Sequence, residues 1–366
     1  MIRRYFPKDM RELTRWYERY ISPVSLVAGF LADNFILLKR VDVLHANLLL
    51  FFYLFVAAFG IILLNAIQAG KVQQERILKF SPLIPICVQF AFGGLFSGYL
   101  SLYSRSVGLF QSWVFVVALA ALLIGNERFT RLYTKFSFQI TLYFTVLFSF
   151  FIFFLPVVFR QIGPAMFLLS GATSLAAISL LLFGLSRISP QTERAERKTV
   201  IRSIGSIFLI FVFLYFSNLI PPLPLALKEA GVYHEVTRNK SGTYLLTKEV
   251  VSWYESLLYT ETFHKTNLED VYVFTSIFAP SGLTTPILHE WQQYDPASRT
   301  WKTKSTVTFS IVGGRDGGYR GYSQKSGVTE GSWRVNVLTQ YGAVIGRVRF
   351  DVVSSEERPR LVTEEE

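Results

Sequence analysis

Long apolar runs fill the first 220 residues of the chain and give way to short alternating patterns afterwards. Stretches of about 20 apolar residues are long enough to cross the hydrocarbon core of a bilayer as helices. We therefore predict an α-helical polytopic membrane bundle with about seven spans. The predicted spans are residues 22–38, 43–67, 80–103, 107–125, 136–158, 163–186 and 203–220.

From residue 231 onward, apolar and polar residues mostly alternate with a period of two, which indicates half-buried strands. In SWRVNVL, Trp333, Val335 and Val337 alternate with polar positions, and AVIGRVRFDVV repeats the pattern after the turn TQYG. About six to eight such strands in about 125 residues predict a small all-β sandwich of immunoglobulin-like type. Residues 249–260 have helical spacing, so a short helix is an alternative there.

The boundary between the two patterns is rich in proline. Pro221, Pro222 and Pro224 favour an extended, stiff exit from the last span. We predict a membrane domain at 1–220 and a β domain at 221–366.

Positive charge is distributed unevenly along the chain. Residues 1–220 carry 21 Lys and Arg against 9 Asp and Glu, whereas residues 221–366 carry 16 against 17. The N-terminal segment and the connections after the second, fourth and sixth spans hold 17 of the basic residues, and the alternate connections hold four. By the positive-inside rule, the N-terminus is predicted in the cytoplasm and the β domain outside it. The basic excess lies between apolar runs, so the predicted partner is the lipid bilayer and not nucleic acid.

Cys87 is the single cysteine, which excludes an internal disulfide and a cysteine-based metal site. The sequence predicts no cofactor and no metal site.

Polar side chains from several spans are predicted to share one depth near the outer surface. A charge on the lipid face costs about 2.5–3.5 kcal/mol, so such residues usually face the bundle interior. Asp33 is the clearest case, and Arg105 is its best partner by depth, with Arg160 and His45 as alternatives. Three interpretations stay open: a structural ion pair, a ligand or ion pocket, and a catalytic carboxylate. The candidate residues are Asp33, Asn34, His45, Asn47, Tyr99, Tyr103, Arg105 and Arg160.

The third span also contains FGGLFSGYLS, whose small residues recur at spacings of three and four. Such a stripe favours close helix packing, with a pocket wall as the alternative.

The β domain offers little recognisable chemistry. His289 in HEW is interpreted as a hydrogen-bonded core histidine before a base or ligand, and His234 and His264 lack a nearby ligand pattern. The segment GGRDGGYRG has no Walker lysine and is predicted to be a mobile hairpin loop. The binding candidates of this domain are Arg315, Tyr319, Arg320, Tyr322 and His289, and no residue is predicted to be catalytic.

The string VYVFTSIFAPSGL…HEWQ…GSWRVNVLTQYGAVIGRVRFDV resembles the bacterial domain-of-unknown-function 2914 family. Upstream, GFLADNF, FGGLFSGYLSLYSRS and NERF are similar to the multi-span region often joined to it. The resemblance implies a bacterial cytoplasmic (inner) membrane location and carries no activity that could be transferred.

Three functions remain open. The first is a non-enzymatic cell-envelope protein whose outward sandwich binds a glycan, peptide or protein partner. The second is lipid or small-solute binding or transport at a pocket around Asp33 and Arg105. The third is an envelope transferase, for which Asp33, His45, His234 and His289 are the candidate groups.

Overall fold

The structure is a computed structural model that describes residues 31, 42–103, 109–126, 132–220, 224–240, 242–250, 260–266 and 269–366. The chain separates into two compact units: Met1–Ser104 with Trp113–Ile220, which hold the helices, and Pro221–Glu366 with Arg105–Ser112, which hold the strands and the first residues of one helix. The first unit is called the helical unit and the second the β unit.

The helical unit contains seven α-helices and two 3-10 turns among its described residues. The α-helices are α1 (Leu44–Gln68), α2 (Glu75–Phe80), α3 (Ile84–Tyr103), α4 (Leu109–Asn126), α5 (Phe136–Phe159), α6 (Pro164–Ile188) and α7 (Pro190–Phe216). The 3-10 turns are Ser81–Leu83 and Leu132–Thr134.

Five helical stretches of the described chain are long and apolar enough to cross a membrane: Leu44–Gln68, Glu75–Leu102, Phe136–Phe159, Pro164–Ile188 and Pro190–Phe216. Val116–Asn126 is a shorter apolar helix. The predicted first span, 22–38, lies outside the described residues except for Leu31.

The last helix begins earlier than its predicted span at 203–220. Pro190 occupies the first turn of α7, where its missing N–H costs no hydrogen bond. The prediction from apolar stretches did not include this start, because the first three turns of α7, PQTERAERKT, are polar. In α5, the helix continues past Pro156 and ends at Phe159, and Arg160 follows in the left-handed conformation with φ 53°.

Helix α5 forms the centre of the helical unit. Its apolar window is 72% buried, against 28% for α6 and 17% for α7. Large apolar side chains such as Leu180, Leu209 and Phe213 are exposed on α6 and α7. An apolar outer surface of this kind is expected where lipid replaces water as the solvent.

Small residues let α1 and α3 approach closely. Gly60 of α1 faces Val88, and a Cβ added at Gly94 of α3 would lie 2.6 Å from the ring of Tyr53. The FGGLFSG stripe therefore serves packing at Gly94, in line with the first interpretation of that motif.

A chain of neutral side chains, here called the amide network, connects α1, α3, α4 and α5. Asn65 Nδ2 donates to Gln139 Oε1 (2.9 Å), and Gln139 Nε2 donates to the carbonyl of Tyr133 (2.5 Å). The Tyr133 hydroxyl donates to Asn126 Oδ1, and Asn126 Nδ2 donates to the carbonyl of Gln89 (3.1 Å). All five side chains are at least 96% buried. The network therefore pairs most of its buried polar atoms without using a charge, and Asn65 Oδ1 is the one atom of these side chains without a hydrogen-bond partner.

Several connections between helices are joined by hydrogen bonds close to the amide network. Gln68 Nε2 donates to the carbonyl of Thr134, and Lys71 Nζ donates to the carbonyl of Arg187. Glu196 of α7 accepts from the backbone N–H of Ser137. The connections after the second, fourth and sixth predicted spans thus meet through these hydrogen bonds.

Eleven strands form the described part of the β unit. They are β1 (Ala226–Tyr233), β2 (Glu235–Arg238), β3 (Tyr244–Glu249), β4 (Glu261–Lys265), β5 (Val271–Phe278), β6 (Thr284–Asp295), β7 (Thr300–Val312), β8 (Tyr319–Lys325), β9 (Gly331–Thr339), β10 (Val344–Ser354) and β11 (Leu361–Glu365). Their orders are β4-β10-β9-β6-β7 in the large sheet, β1-β5-β8 in the middle sheet and β11-β3-β2 in the small sheet.

The three sheets are stacked, with the middle sheet covered on both faces. Val271 and Val273 of β5 pack with Trp291 and Trp333 of the large sheet. Phe274, which points to the opposite face of the same strand, packs with Tyr244 and Leu246 of the small sheet. The β-rich character predicted for this region is confirmed, and the described strands form three sheets where a sandwich has two.

Two local predictions can be compared with these strands. The β9–β10 hairpin is confirmed, with Trp333 opposite Phe350 and Val335 opposite Val348. The prediction that GGRDGGYRG forms a hairpin is wrong, because it joins β7 of the large sheet to β8 of the middle sheet. A Cβ at Gly313 would collide with the carbonyl of Pro280, so the crossing requires glycine there. The possible helix at 249–260 lies mostly outside the described residues.

Candidate functional site

One side of the large sheet packs in the core, and the opposite side carries a set of polar side chains that we call the polar face. Its members lie on three adjacent strands, because Glu290 pairs with Asn336 across β6 and β9, and Asn336 pairs with Arg347 across β9 and β10. Gln292 and Arg334 form the next row. Residues in register on adjacent strands share a face, so these five side chains are brought together by the sheet itself.

Hydrogen bonds fix the side chains of the polar face. Gln292 Oε1 accepts from Arg334 Nε (2.6 Å) and from Asn336 Nδ2 (3.2 Å). Asn336 Nδ2 also donates to Glu290 Oε2 (2.9 Å), and Asn336 Oδ1 accepts from Arg347 Nε (2.6 Å). Asn336 is only 5% exposed, whereas Glu290, Arg334 and Arg347 are half-buried. The buried amide thus holds partly exposed charged groups in set positions.

Aromatic side chains border the polar face. The guanidinium of Arg334 lies over the Trp301 ring at 4.3 Å, and Tyr294 lies 5.3 Å from Trp301 between ring centroids. Both aromatic residues are half-buried. Thr303 joins the network by accepting from Gln292 Nε2 and donating to Glu290 Oε1. The surface therefore combines fixed donors and acceptors with apolar ring edges.

A second polar group, here called the histidine–glutamate cluster, joins the three sheets at one point. His234 lies where the chain passes from β1 of the middle sheet to β2 of the small sheet. Its Nδ1 is 2.7 Å from Glu269 Oε1 and its Nε2 is 3.2 Å from Glu249 Oε1. Glu249 Oε2 also lies 2.7 Å from Nδ1 of His264 in β4.

The two carboxylates favour the charged form of His234. Burial opposes the imidazolium, but the hydrogen bonds that its ring N–H groups donate to Glu249 and Glu269 outweigh it, so the pKa of His234 is raised. Burial raises the pKa of both glutamates, but the hydrogen bonds that they accept outweigh this effect. Glu249 accepts from His234 and His264, Glu269 accepts from His234 and Thr266, and the pKa of each carboxyl is lowered as a result. No group of three or more metal-ligating side chains suited to a metal ion occurs in the described part of the chain.

Sequence reasoning did not find this cluster. His234 and His264 show no ligand pattern nearby, yet Glu249 lies 15 residues from each of them and Glu269 lies 35 residues from His234. Contacts at such separations depend on the fold. The one local signal is the T-x-x-E spacing just after β4, where Glu269 accepts from Thr266 three residues earlier.

His289 is fully buried and lies on the core side of the large sheet. Its Nε2 is 3.0 Å from Thr275 Oγ1 and its Nδ1 is 2.9 Å from Ser323 Oγ. Burial lowers the pKa of His289 to about 3, so the ring is neutral at ordinary pH. In this position it bridges the large and middle sheets.

The other binding candidates of the β unit divide into two places. The guanidinium of Arg315 lies 5.6 Å from the Tyr319 ring in the crossing segment. Arg320 Nη2 is 3.0 Å from Glu366 Oε2, and Tyr322 is 39% exposed beside Tyr244 and Tyr272. These residues belong to the middle sheet and its crossing segment and not to the polar face.

The candidates of the helical unit are only partly described. Asp33, Asn34 and Arg105 lie outside the described residues, as does the side chain of Tyr103. His45 and Arg160 are exposed, and Asn47 Nδ2 donates to the carbonyl of Val43 in its own first turn. Tyr99 is fully buried, and its hydroxyl donates to the carbonyl of Val146 in α5 (2.7 Å). Tyr99 thus connects two packed helices.

A helical region with five helices that are long and apolar enough to cross a membrane, followed by a β-rich domain, defines the class of this chain. Within the β-rich domain, residues 284–352 match the family model described as "Protein of unknown function (DUF2914)". The resemblance predicted from the sequence is confirmed for this segment. It begins at the first residue of β6 and contains every residue of the polar face.

Other comparisons add nothing to this match. The curated proteins contain no match. Among solved structures, the Pseudomonas fluorescens alkylpurine DNA glycosylase AlkC, bound to DNA containing an abasic site analog, aligns over 77% of this chain and 83% of that chain. The identity is 11% and the TM-score is 0.19, which carries no argument about fold or function.

Proposed function

We propose that this chain is a bacterial cell-envelope membrane protein whose β unit binds a glycan on the polar face. The observation that carries the proposal is the hydrogen-bonded set Glu290, Gln292, Asn336, Arg334 and Arg347 on adjacent strands. Binding sites are most effective when their side chains are already held in place by rigid elements and neighbouring hydrogen bonds. Here the sheet supplies the elements and Asn336 supplies the central bonds.

A glycan suits the chemistry of this surface better than an apolar peptide does. Saccharide hydroxyls both donate and accept hydrogen bonds, and the polar face presents carboxylate, amide and guanidinium groups side by side. The apolar face of a sugar ring can lie against aromatic side chains, and Trp301 and Tyr294 border the set.

The proposal includes a membrane arrangement. About seven spans would place the N-terminus in the cytoplasm and the β unit outside, where its large and middle sheets, packed as in a sandwich of immunoglobulin-like type, would present the polar face. The 17 to 4 distribution of basic residues between alternate connections supports this orientation. Support also comes from the hydrogen bonds that join the basic connections of the helical unit, such as Lys71 Nζ to the carbonyl of Arg187.

The test is glycan binding by the full chain in lipid nanodiscs, using an array of bacterial-envelope saccharides followed by titration of the best one. Trp301→Ala removes the ring beneath Arg334 and is expected to weaken binding about tenfold, equivalent to about 1.4 kcal/mol. Tyr341→Ala is the matched control, because Tyr341 is an exposed aromatic residue (53%) in the β9–β10 turn. This control is expected to bind within about twofold of the unchanged protein.

Two results would overturn the glycan proposal. In one, the unchanged protein binds no saccharide above background on the array. In the other, Trp301→Ala and Tyr341→Ala weaken binding equally, which would place the ligand elsewhere on the β unit.

A further inference from the structure

The edges of the three sheets differ in how they avoid pairing with other chains. An edge strand presents unpaired backbone N–H and C=O groups, and proteins usually protect it with charges, bulges or short length. Of the six edge strands in the described part of the chain, five have such protection. The protecting features are Lys228, Glu229 and a register shift in β1, Arg320 and Lys325 in β8, Glu261 and Lys265 in β4, a length of four residues in β2, and Glu364 and Glu365 in β11.

Strand β7 is different, because its protection covers only the first part of its 13 residues. Lys302 and Lys304 lie there, and the register of pairing with β6 shifts between Trp291 and Gln292, opposite Lys304. Residues 305–312, with the sequence STVTFSIV, contain no charge, glycine or proline. The composition of this segment strongly favours a strand, and its outward-facing residues Thr306, Thr308 and Ser310 are exposed.

We propose that residues 305–311 of β7 pair in antiparallel orientation with the same segment of a second copy of this chain, about a twofold axis at Thr308. The large sheets of the two copies then form one continuous sheet.

The side-chain pattern of β7 is compatible with itself in this register. Opposite residues in an antiparallel pair share a face, so the axis must pass through a residue and not between two residues. With the axis at Thr308, Thr306 lies opposite Ser310 and Val307 lies opposite Phe309 of the other copy. Pairs of hydroxyl residues and pairs of aromatic with β-branched residues are among the favourable cross-strand combinations.

The charges and the core also agree with this arrangement. Lys302 and Lys304 of one copy lie at the opposite end of the pair from those of the other copy, so like charges do not meet. Phe309 stays on the core side, where its ring contacts His289 at 4.9 Å between centroids and covers Gly321. The exposed side keeps only hydroxyl groups at the centre of the interface.

Disulfide trapping in the membrane-embedded full chain tests the register. Cys87, which is exposed, is first replaced by serine to remove the native thiol. Thr308→Cys then places two thiols at the axis, where paired Cα atoms lie about 4.5–5.5 Å apart, within the range for a disulfide. Val312→Cys is the matched control, because Val312 is also exposed (52%). The two Val312 residues would lie about 26 Å apart at the strand rise of about 3.3 Å per residue.

Oxidation is expected to give a covalent dimer with Thr308→Cys and monomer with Val312→Cys. Light scattering of the detergent-solubilised protein is expected to show a dimer for the unchanged chain and for Thr308→Ser. The Thr308→Lys variant is expected to be monomeric, because it brings two like charges together at the axis. A monomeric unchanged chain, equal cross-linking by both cysteine variants, or a different protein bound along β7 would each overturn the proposal.

Discussion

The two units of this protein satisfy their buried polar groups in different ways. In the helical unit, the amide network from Asn65 to Gln89 uses only neutral side chains and backbone carbonyls. In the β unit, His234 is buried between two glutamates, whose carboxylates raise its pKa and so favour its charged form. Neutral networks avoid the cost of placing charge in an apolar surrounding, whereas ionisable clusters link stability to pH.

This contrast predicts how the stability of each unit should respond to the loss of a hydrogen-bond partner and to a change of pH. The amide network contains no group that titrates near neutral pH, so its stability should respond to the loss of a partner and hardly to pH. The histidine–glutamate cluster should respond to both.

The largest effect is expected from Gln139→Leu in the helical unit. Gln139 is fully buried, and its loss leaves Asn65 Nδ2 and the carbonyl of Tyr133 without this partner. The free energy of unfolding should fall by about 2–4 kcal/mol, since each unsatisfied buried polar group costs about 1–3 kcal/mol. Denaturation followed by the helical circular-dichroism signal measures this.

Gln68→Leu is the control for the Gln139 prediction, because it makes the same change at the exposed end of α1. It should lower stability by less than about 0.5 kcal/mol. An equal fall in the free energy of unfolding for both variants would show that the buried amide network stabilises the unit no more than an exposed hydrogen bond does. A strong pH dependence of the Gln139→Leu effect between pH 5 and pH 8, roughly the range of histidine titration, would contradict the contrast between the units.

A smaller effect, dependent on pH, is expected from His234→Asn. The folded-state pKa of His234 is raised above its ordinary value of 6.5, so its stabilisation is complete below pH 6.5 and is lost as the pH rises through the folded-state pKa. The folded-state pKa values of Glu249 and Glu269 are lowered below 4.5, so their contribution is present above pH 4.5 and is lost as the pH falls through those values. The cluster is therefore most stabilising between pH 4.5 and pH 6.5.

His234→Asn should accordingly cost about 1–3 kcal/mol near pH 6 and less near pH 9. Guanidinium denaturation followed by the fluorescence of the buried Trp291 and Trp333 measures the β unit. The neutral His289, whose pKa is lowered to about 3, is present in both proteins, so its own acid sensitivity cancels in the comparison. A cost that is constant across this pH range would mean that His234 acts by packing on Phe263 alone, at 4.2 Å between ring centroids.

The smallest effect is expected from Arg320→Met. The ion pair of Arg320 with Glu366 is 3.0 Å long, but its side chains are 32% and 38% exposed. Exposed ion pairs contribute about 0–1 kcal/mol, so the variant should unfold within about 1 kcal/mol of the unchanged protein. The same fluorescence experiment measures it, and a loss as large as that of His234→Asn near pH 6 would remove the distinction between buried and exposed charges.

The local elements of the fold were predictable from the sequence, whereas the sites were not. Helices α1 and α5 and the β9–β10 hairpin follow from periodicity within one or two segments, and so does the outward position of Arg334 and Asn336. Joining Asn336 to Glu290 requires the pairing of β9 with β6 across 46 residues, which no local pattern contains. The three-sheet stack also depends on contacts between distant parts of the sequence. Strand β1 pairs with β5, although β2 and β3 of the small sheet lie between them in the chain.

The middle sheet makes β5 a natural reporter for the whole β unit. Seven of its eight residues are buried, and it pairs with β1 on one side and β8 on the other. Its amide protons can therefore exchange with solvent deuterium only when the β unit opens as a whole. A ligand bound on the polar face would slow that exchange by the factor one plus ligand concentration over Kd. Deuterium uptake in β5 thus measures binding at a surface that β5 does not touch.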